Sequence, residues 1–259
     1  MSLEVRAEST DSGQLLRLVL DAPKGNVLSM ARMEAISAAL AAHRDDPRLK
    51  LVVWTAEGPH FSFGAAVEEH EASRAPAMLK AFHAFVRDLA SYPVPIAPVV
   101  HGKCLGGAFE AVLACHFVFA TPSARFACPE VKLGVFPPVL AAIGAARLGH
   151  ALAERMVVTG AEIDANDAQR AGMLAELVAA SDAVEHVLAW AARELFPLSA
   201  FTVRQATKAA RRASGLLELL GAPLDRAEAQ YVGELLTSHD GNEGIAAFLA
   251  KRAPAWRDR

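Results

Sequence analysis

Two glutamates, Glu110 and Glu130, are the residues of this chain best suited to move protons. They lie twenty residues apart, each among apolar, small or turn-forming neighbours. A carboxylate in such surroundings is poorly solvated, which raises its pKa towards neutral pH. One carboxylate can then take a proton from water while the other delivers a proton to carbon, with no metal ion required. Most glutamates form ordinary surface or ion-pair contacts, and the residue pattern alone leaves that alternative open.

Two segments of small residues are candidates for holding a negative charge with backbone amides. Gly106 and Gly107 are predicted to open a helix, whose first amides have no partner within the helix and face the positive end of its dipole. The small residues around Ala65 follow a predicted strand and let a carbonyl group approach the backbone. Two such amides would polarise a thioester carbonyl, although a glycine pair at a helix start also serves close packing.

The elements that position these residues alternate between strand and helix patterns. Helices are predicted over 29–43 and 78–89, and strands over 15–20, 51–55, 95–100, 116–120 and 174–178. Strands separated by helices pair in parallel through crossover connections. After about Ser181 the pattern predicts helices only, which pack either over their own core or on another subunit. The charged stretch 208–212 is interpreted as a solvated helical face.

Composition excludes several classes of protein. The 259 residues are 53% hydrophobic and 21% charged, which is typical of one enzyme-sized domain with an appendage. A net charge of −3 argues against nucleic-acid binding, and no apolar run reaches the length of a membrane helix. With no targeting segment at the N-terminus, we expect a cytoplasmic protein. Neither the three cysteines nor the segment 68–71 has metal-ligand spacing, so no metal site is predicted.

Several segments resemble the crotonase, or enoyl-CoA hydratase/isomerase, superfamily, and the resemblance extends from about Val5 to Trp256. The segments that carry it are Pro23-Lys24, His60–Ala65, His101–Glu110, Phe126–Gly134 and Phe248–Arg252. The implied fold is α/β, with a crotonase-like ββα spiral core at 1–195 that holds the thioester site. A C-terminal helical trimerisation region at 196–259 is implied to build a homotrimer or a dimer of trimers.

The resemblance also implies roles for individual residues. The carbonyl of an acyl-CoA thioester is expected between the amides of Ala65 and Gly107, the oxyanion hole. Glu110 and Glu130 match the paired acid/base glutamates of the hydratases, with Glu110 acting mainly on water and Glu130 mainly as proton donor. Lys24, Ala65 and Lys251 are the expected coenzyme A contacts. Coenzyme A belongs to the substrate, so no separate cofactor is expected.

Within the superfamily, residues 57–70 and 238–252 look most like the cyclohexa-1,5-diene-1-carbonyl-CoA hydratases of anaerobic benzoyl-CoA degradation. The implied reaction is 1,4-addition of water to the ring diene. Where common crotonases have a glycine-rich stretch after the second glutamate, this chain has Val135–Leu140, in which Phe136 either shapes the acyl pocket or only packs. His60 and His70 are weaker candidates for the pocket wall. The alternatives are a general 2-enoyl-CoA hydratase or isomerase, and a non-catalytic crotonase-fold assembly or RNA-binding protein.

Overall fold

The computed structural model describes residues 5–23, 25–179 and 182–259 of the chain. A six-stranded sheet lies at its centre in the order β1-β2-β3-β4-β6-β9, and a three-stranded sheet in the order β5-β7-β8 lies beside it. The strands are β1 (Val5–Thr10), β2 (Leu15–Leu20), β3 (Leu51–Ala56), β4 (Ile96–Val100), β5 (Lys103–Leu105), β6 (Val118–Ala120), β7 (Arg125–Ala127), β8 (Ile163–Asp164) and β9 (Leu174–Leu177).

Parallel pairing dominates the large sheet, as the alternation of strands and helices predicted. Only β1 pairs antiparallel with its neighbour β2; the pairs from β2 to β9 are all parallel. In β3, residues 51–55 are buried, because apolar side chains on both faces of the strand are covered by packed elements. The five predicted strands are confirmed, with ends that differ by up to two residues.

Four strands were not predicted from the sequence. The edge strand β1 is mostly exposed and reads VRAEST, which lacks the apolar run that marks a buried strand. The strands β5, β7 and β8 are only two or three residues long, which is too short for a hydrophobic period to develop. All three belong to the small sheet that carries the segments next to both glutamates.

Helices cover the sheet, and every regular element of the described chain beyond residue 182 is a helix. They are α1 (Met30–His43), α2 (Ala75–Ala90), α3 (Gly106–Ala114), α4 (Pro138–Leu148), α5 (His150–Thr159), α6 (Ala165–Arg170), α7 (Ala183–Glu194), α8 (Ala200–Ala213), α9 (Leu216–Leu219), α10 (Ala222–Gln230) and α11 (His239–Leu249). The predicted helices at 29–43 and 78–89 correspond to α1 and α2. None of the helices in the described ranges is long and apolar enough to cross a membrane.

The C-terminal helices pack over the core of their own chain. Leu224, Tyr231 and Ile245 are buried in the same hydrophobic cluster as the strands. Helix α11 begins at an N-cap, since the Ser238 hydroxyl accepts a hydrogen bond from the Gly241 amide at 3.0 Å. Ser238 therefore fixes the start of this helix.

The prediction of a solvated charged face at 208–212 is wrong at one residue. Arg211 is buried, and its Nη2 donates a hydrogen bond to the Ala114 carbonyl at the end of α3, at 2.9 Å. Arg211 follows Val203 and Thr207 at four-residue spacing on the buried face of α8, while its neighbour Arg212 is exposed. The three cysteines are buried and unbridged.

Candidate active site

Helix α3 carries the first glutamate into the protein interior. Gly106 and Gly107 begin this helix, as predicted, and Glu110 follows one turn later. Glu110 is 3% exposed, and its Oε1 accepts a hydrogen bond from the Leu140 amide in the first turn of α4 at 2.8 Å. An amide at a helix N-terminus is a suitable partner for a carboxylate. The two helices therefore fix the position of Glu110 together.

A short 3₁₀ turn, Pro129–Leu133, carries the second glutamate. The Glu130 carboxyl lies against the start of α3, where a Cβ built on Gly106 would be 2.7 Å from Glu130 Oε1. Gly106 also has φ of +50°, so a side chain there would meet both strain and a clash. Glu130 Oε2 is shielded from solvent and has no hydrogen-bond partner among the described residues. An uncommitted buried carboxyl oxygen is available to a substrate.

Both glutamates face one small inner chamber of about 20 Å³. Its other walls are mostly apolar and aromatic, and they are formed by Ala65, His70, Met78, Leu79, Phe82, Gly107, Phe136, Pro137, Pro138 and Tyr231. A larger outer cavity of about 660 Å³ shares Ala65, His70 and Glu130 with the chamber. A long ligand can therefore lie in the outer cavity and present its reactive end to the glutamates.

The surroundings of the pair raise both of its pKa values. Burial raises the pKa of Glu110 to about 7, against the opposing effect of hydrogen bonds from the Leu140 and Val139 amides. Burial, and then the charge of Glu110, raises the pKa of Glu130 to about 8. Because each charge opposes ionisation of the other, the pair holds one proton near neutral pH. One carboxylate and one carboxylic acid are then present together, as proton transfer in both directions requires.

These pKa shifts predict how stability changes with pH. The folded protein holds the Glu130 proton more tightly than the unfolded chain, whose ordinary value is 4.5. The free energy of unfolding is therefore expected to fall as pH rises from about 4.5 to about 8. Glu130→Gln removes this titration, and at pH 9 the variant should be more stable than the wild type by about 2 kcal/mol or more. That corresponds to roughly 4–8 °C in Tm.

Calorimetric melting at pH 5 and pH 9 measures this difference. Glu162→Gln, at an exposed glutamate, is the matched control and should melt like the wild type at both values. If Glu130→Gln melts lower than the wild type at pH 9, the buried carboxyl does not carry the unfavourable charge that we infer.

The two predicted oxyanion-hole residues come together in the fold. A Cβ built on Gly107 would lie 3.4 Å from the Ala65 Cβ, so the two backbones are neighbours. Gly64 holds this approach with φ of +92°, because a Cβ there would be 2.6 Å from the Leu105 carbonyl oxygen. Ala65 and Gly107 both line the inner chamber. The first-turn amide of Gly107 has no acceptor within its helix, which leaves it free for a ligand.

Of the three expected coenzyme A contacts, the structure places one in the wall of the outer cavity. Lys24 lies outside the described residues, and Ala65 lines the outer cavity. Lys251 is exposed just beyond α11 and is not among the described residues that line this cavity. Phe248, on the last turn of α11, does line it, and so does Lys132. Sequence reasoning did not select Lys132, although it falls inside the segment that resembled the family.

The two histidines predicted as weaker candidates for the pocket wall lie in different cavities. His70 lines both the chamber and the outer cavity, and its Nδ1 pairs with the Ala66 carbonyl at 3.0 Å. Burial lowers the pKa of His70, which favours the neutral ring. His60 lies instead in a neighbouring cavity of about 700 Å³, on the other side of Phe63. Only His70 is thus positioned beside the glutamates.

Tyr231 is a chamber residue that sequence reasoning missed. It is 1% exposed, and its hydroxyl is buried with no hydrogen-bond partner among the described residues. Its ring packs edge-on against Phe136 at 5.8 Å between centroids. Burial, then the charges of Glu130 and Glu110, raises the pKa of Tyr231. No local pattern marked this residue, because it lies on a helical segment far along the chain and reaches the chamber only through tertiary packing.

Comparisons with known proteins identify the family of this chain. A family model described as enoyl-CoA hydratase/isomerase matches residues 10–259. Cyclohexa-1,5-dienecarbonyl-CoA hydratase of Thauera aromatica is 41% identical over 247 residues, covering 95% of this chain and 94% of that protein. Carnitinyl-CoA dehydratase of Salmonella typhi is 30% identical, covering 96% and 97%.

Solved structures show the same architecture. The crystal structure of an enoyl-CoA hydratase from Mycobacterium avium subsp. paratuberculosis aligns with a TM-score of 0.84 at 27% sequence identity, covering 98% of this chain and 99% of that one. The crotonase-like α/β fold expected from the resemblance is confirmed. On its matched length, its relatives and its fold, the chain belongs to the enoyl-CoA hydratase/isomerase family, as a hydro-lyase of the crotonase superfamily.

Proposed function

We propose that this enzyme adds water to cyclohexa-1,5-diene-1-carbonyl-CoA and forms 6-hydroxycyclohex-1-ene-1-carbonyl-CoA. The observation that carries the proposal is the pair of buried glutamates on one aromatic-walled chamber, beside the amides of Ala65 and Gly107. The 41% identity to a hydratase named for this substrate supports the choice of acyl group. A chamber closed by Phe136 and Tyr231 also favours a compact acyl group over a long chain.

In the first step, the thioester carbonyl accepts hydrogen bonds from the amides of Ala65 and Gly107. The Glu110 carboxylate takes a proton from water, and the oxygen of that water bonds to the ring carbon β to the thioester. The electron pair of the broken double bond moves to the thioester oxygen, which gives a conjugated dienolate. The two amides stabilise the charge that develops on this oxygen.

In the second step, the Glu130 carboxyl donates its proton to the far carbon of the original diene. The electrons return from the oxygen, the remaining double bond shifts next to the thioester carbon, and the hydroxyl stays on the β carbon. Glu110 then carries a proton and Glu130 a charge, so exchange with solvent restores the starting state. Because two carboxyl groups supply all proton transfers, we propose that turnover needs no metal or prosthetic group.

The difference between the two pKa values supports this division of roles. Glu110, with hydrogen bonds from backbone amides, loses its proton more readily and acts as the base. The charge of Glu110 raises the pKa of Glu130, and within the described chain one oxygen of Glu130 has no hydrogen-bond donor to stabilise a negative charge. Glu130 therefore keeps its proton and acts as the acid. The carboxylate and the acid are thus assigned by their surroundings.

Hydration in D₂O distinguishes 1,4-addition from 1,2-addition. Addition across the conjugated diene is expected to place one deuterium at C3 of the product ring, next to the double bond. Simple addition across one double bond would place it at C5, next to the hydroxyl-bearing carbon. NMR of the product shows which carbon carries the label, and deuterium at C5 would rule out the proposed order of bond changes.

Substrate preference tests the proposed acyl group. Purified protein is incubated with cyclohexa-1,5-diene-1-carbonyl-CoA and, separately, with crotonyl-CoA, and the hydrated products are followed by mass. A higher kcat/KM for the ring diene is expected. A preference for crotonyl-CoA would instead support the second candidate function, general 2-enoyl-CoA hydration. The 31% identity to a probable enoyl-CoA hydratase of Mycobacterium tuberculosis favours that candidate.

Phe136 is expected to limit the length of the acyl group. Its ring closes the chamber against Tyr231, so Phe136→Ala should enlarge the space beyond the glutamates. We expect the ratio of kcat/KM for hex-2-enoyl-CoA to that for the ring diene to rise about 10-fold or more. Phe201→Ala, at an exposed phenylalanine of α8, is the control and should leave the ratio unchanged. An unchanged ratio in Phe136→Ala would mean that Phe136 only packs.

We also propose assembly into a homotrimer or a dimer of trimers through the region 196–259, with Lys251 contacting coenzyme A at a subunit boundary. The exposed position of Lys251 beyond α11 is compatible with such a contact. Light scattering during size-exclusion chromatography measures the mass of the assembly. A monomer that retains full affinity for coenzyme A after Lys251→Ala would contradict this arrangement.

A further inference from the structure

A further cavity, with two arginines in its wall, lies near the end of α3 opposite to the chamber. It has a volume of about 230 Å³, and its polar walls include His116, Arg147 and Arg211. Arg211 belongs to α8, Arg147 to the last turn of α4, and His116 follows the end of α3. Three separate elements therefore bring cationic or hydrogen-donating side chains to one place.

The two arginines have no negative partner among the residues that the structure describes. Within that part of the chain, neither guanidinium belongs to an ion pair, and the Nε of Arg147 is shielded from solvent without a hydrogen-bond acceptor. Arg211 makes one bond, to the Ala114 carbonyl at 2.9 Å. Burial, then the charge of Arg147, lowers the pKa of Arg211 to about 10, so the two cations repel each other. Such an arrangement is unfavourable unless an anion compensates it.

His116 lines the same cavity with a ring of defined tautomer. Its Nδ1 accepts a hydrogen bond from the Ile96 amide at 3.2 Å, which leaves the ring proton on Nε2. That Nε2 is inaccessible to solvent and has no partner in the described ranges. Burial, followed by the charges of the two arginines, keeps the pKa of His116 well below its usual value. The ring is therefore a neutral donor that lacks an acceptor.

We propose that His116, Arg147 and Arg211 form a binding site for a small oxyanion of the phosphate or carboxylate class. Planar guanidinium groups bind such oxygens through paired charge-assisted hydrogen bonds, and the neutral His116 ring forms part of the same wall. The volume of the cavity admits a small anion with its hydration water. This site is separate from the catalytic chamber, because α3 and α4 begin at the chamber and run about 14–17 Å to the cavity.

Inorganic phosphate is the first probe, and chloride at matched ionic strength is the reference. Acetate, tested in the same way, shows whether the site also binds a carboxylate. The wild type is expected to bind phosphate and to melt at a higher temperature in phosphate than in chloride. Arg147→Gln should weaken the affinity for phosphate at least about 10-fold, the loss of one charge-assisted pair. In chloride the same variant should melt no lower than the wild type, because it relieves the repulsion with Arg211.

Arg155→Gln on α5 is the matched control, since it removes an exposed arginine and the same charge. It should bind phosphate like the wild type. Phosphate that binds in the coenzyme A region should do so equally in the wild type, Arg147→Gln and Arg155→Gln, so a difference in affinity among them reports on the cavity. Arg147→Met, which keeps the aliphatic packing, provides a second variant if Arg147→Gln folds poorly. Unchanged hydration of the ring diene by both Arg147 variants in chloride would show that the site is independent of the proposed function.

Three results would overturn the proposal. Equal stabilisation of the wild type by phosphate and chloride at matched ionic strength would reduce the effect to screening. The affinity of Arg147→Gln for phosphate could equal that of the wild type. Stability could rise with protein concentration and not with phosphate, in which case acidic side chains of a second copy neutralise these arginines.

Discussion

Replacing either buried glutamate by glutamine is expected to lower kcat by roughly 10²–10⁴-fold on the ring dienoyl-CoA. Glutamine keeps the size of the side chain but neither accepts a proton from water nor donates one to carbon at neutral pH. Because both residues face one chamber, the loss should appear in kcat more than in KM. Steady-state kinetics of Glu110→Gln and Glu130→Gln measure it. Glu68→Gln, at an exposed glutamate of the outer cavity, is the control and should remain close to wild type.

The pH profile separates the two roles. The active form needs Glu110 charged and Glu130 protonated, so kcat should fall on both sides of neutral pH. The residual activity of Glu110→Gln should lose the acidic limb, and that of Glu130→Gln the alkaline limb. If both limbs survive in a variant, that residue does not titrate in the mechanism. Near-normal kcat in either variant would remove the residue from proton transfer altogether.

Removing one oxyanion-hole amide is expected to lower kcat by roughly 10²–10³-fold. An ester in place of the Ala65 or Gly107 amide, introduced as the corresponding α-hydroxy acid, deletes the N–H and leaves every side chain in place. The charge on the thioester oxygen develops after substrate binding, so KM should change less than kcat. The basis of this prediction is the close approach of the two residues, since a Cβ built on Gly107 would lie 3.4 Å from the Ala65 Cβ.

An ester at Ala66 is the matched control. Ala66 lines the outer cavity but not the chamber that holds the glutamates, so its amide should not contact the reacting carbonyl. Equal losses at Ala65 and Ala66 would point to a general disturbance of the loop. Full activity of the Ala65 ester would place the thioester carbonyl elsewhere.

The catalytic chamber and the inferred anion site lie at opposite ends of the same two helices. The first turn of α4 donates to Glu110 and its last turn carries Arg147. Helix α3 begins at Gly106 and Gly107 and ends where Arg211 bonds the Ala114 carbonyl. The cation compensates the partial negative charge at that helix end. The two sites thus share rigid elements while using different residues.

Local patterns in the sequence were sufficient for the central architecture. Buried parallel strands such as Leu51–Ala56 are continuous apolar runs, and turn residues end them, so both their existence and their parallel pairing could be predicted. The helix start at Gly106-Gly107 depends on nearest neighbours in the chain and was likewise predictable. The short strands of the small sheet were not, because two or three residues carry no period.

The same distinction applies to the site. Sequence by itself determined the residue types that do chemistry: two glutamates in apolar surroundings and two small-residue turns with available amides. Only the tertiary structure decided that Tyr231 and Phe136 close the chamber, and that Arg211 is buried and lines one cavity with Arg147 and His116. Those contacts join positions far apart in the chain, and burial, charge repulsion and raised pKa values arise only when such positions meet in a medium that excludes water.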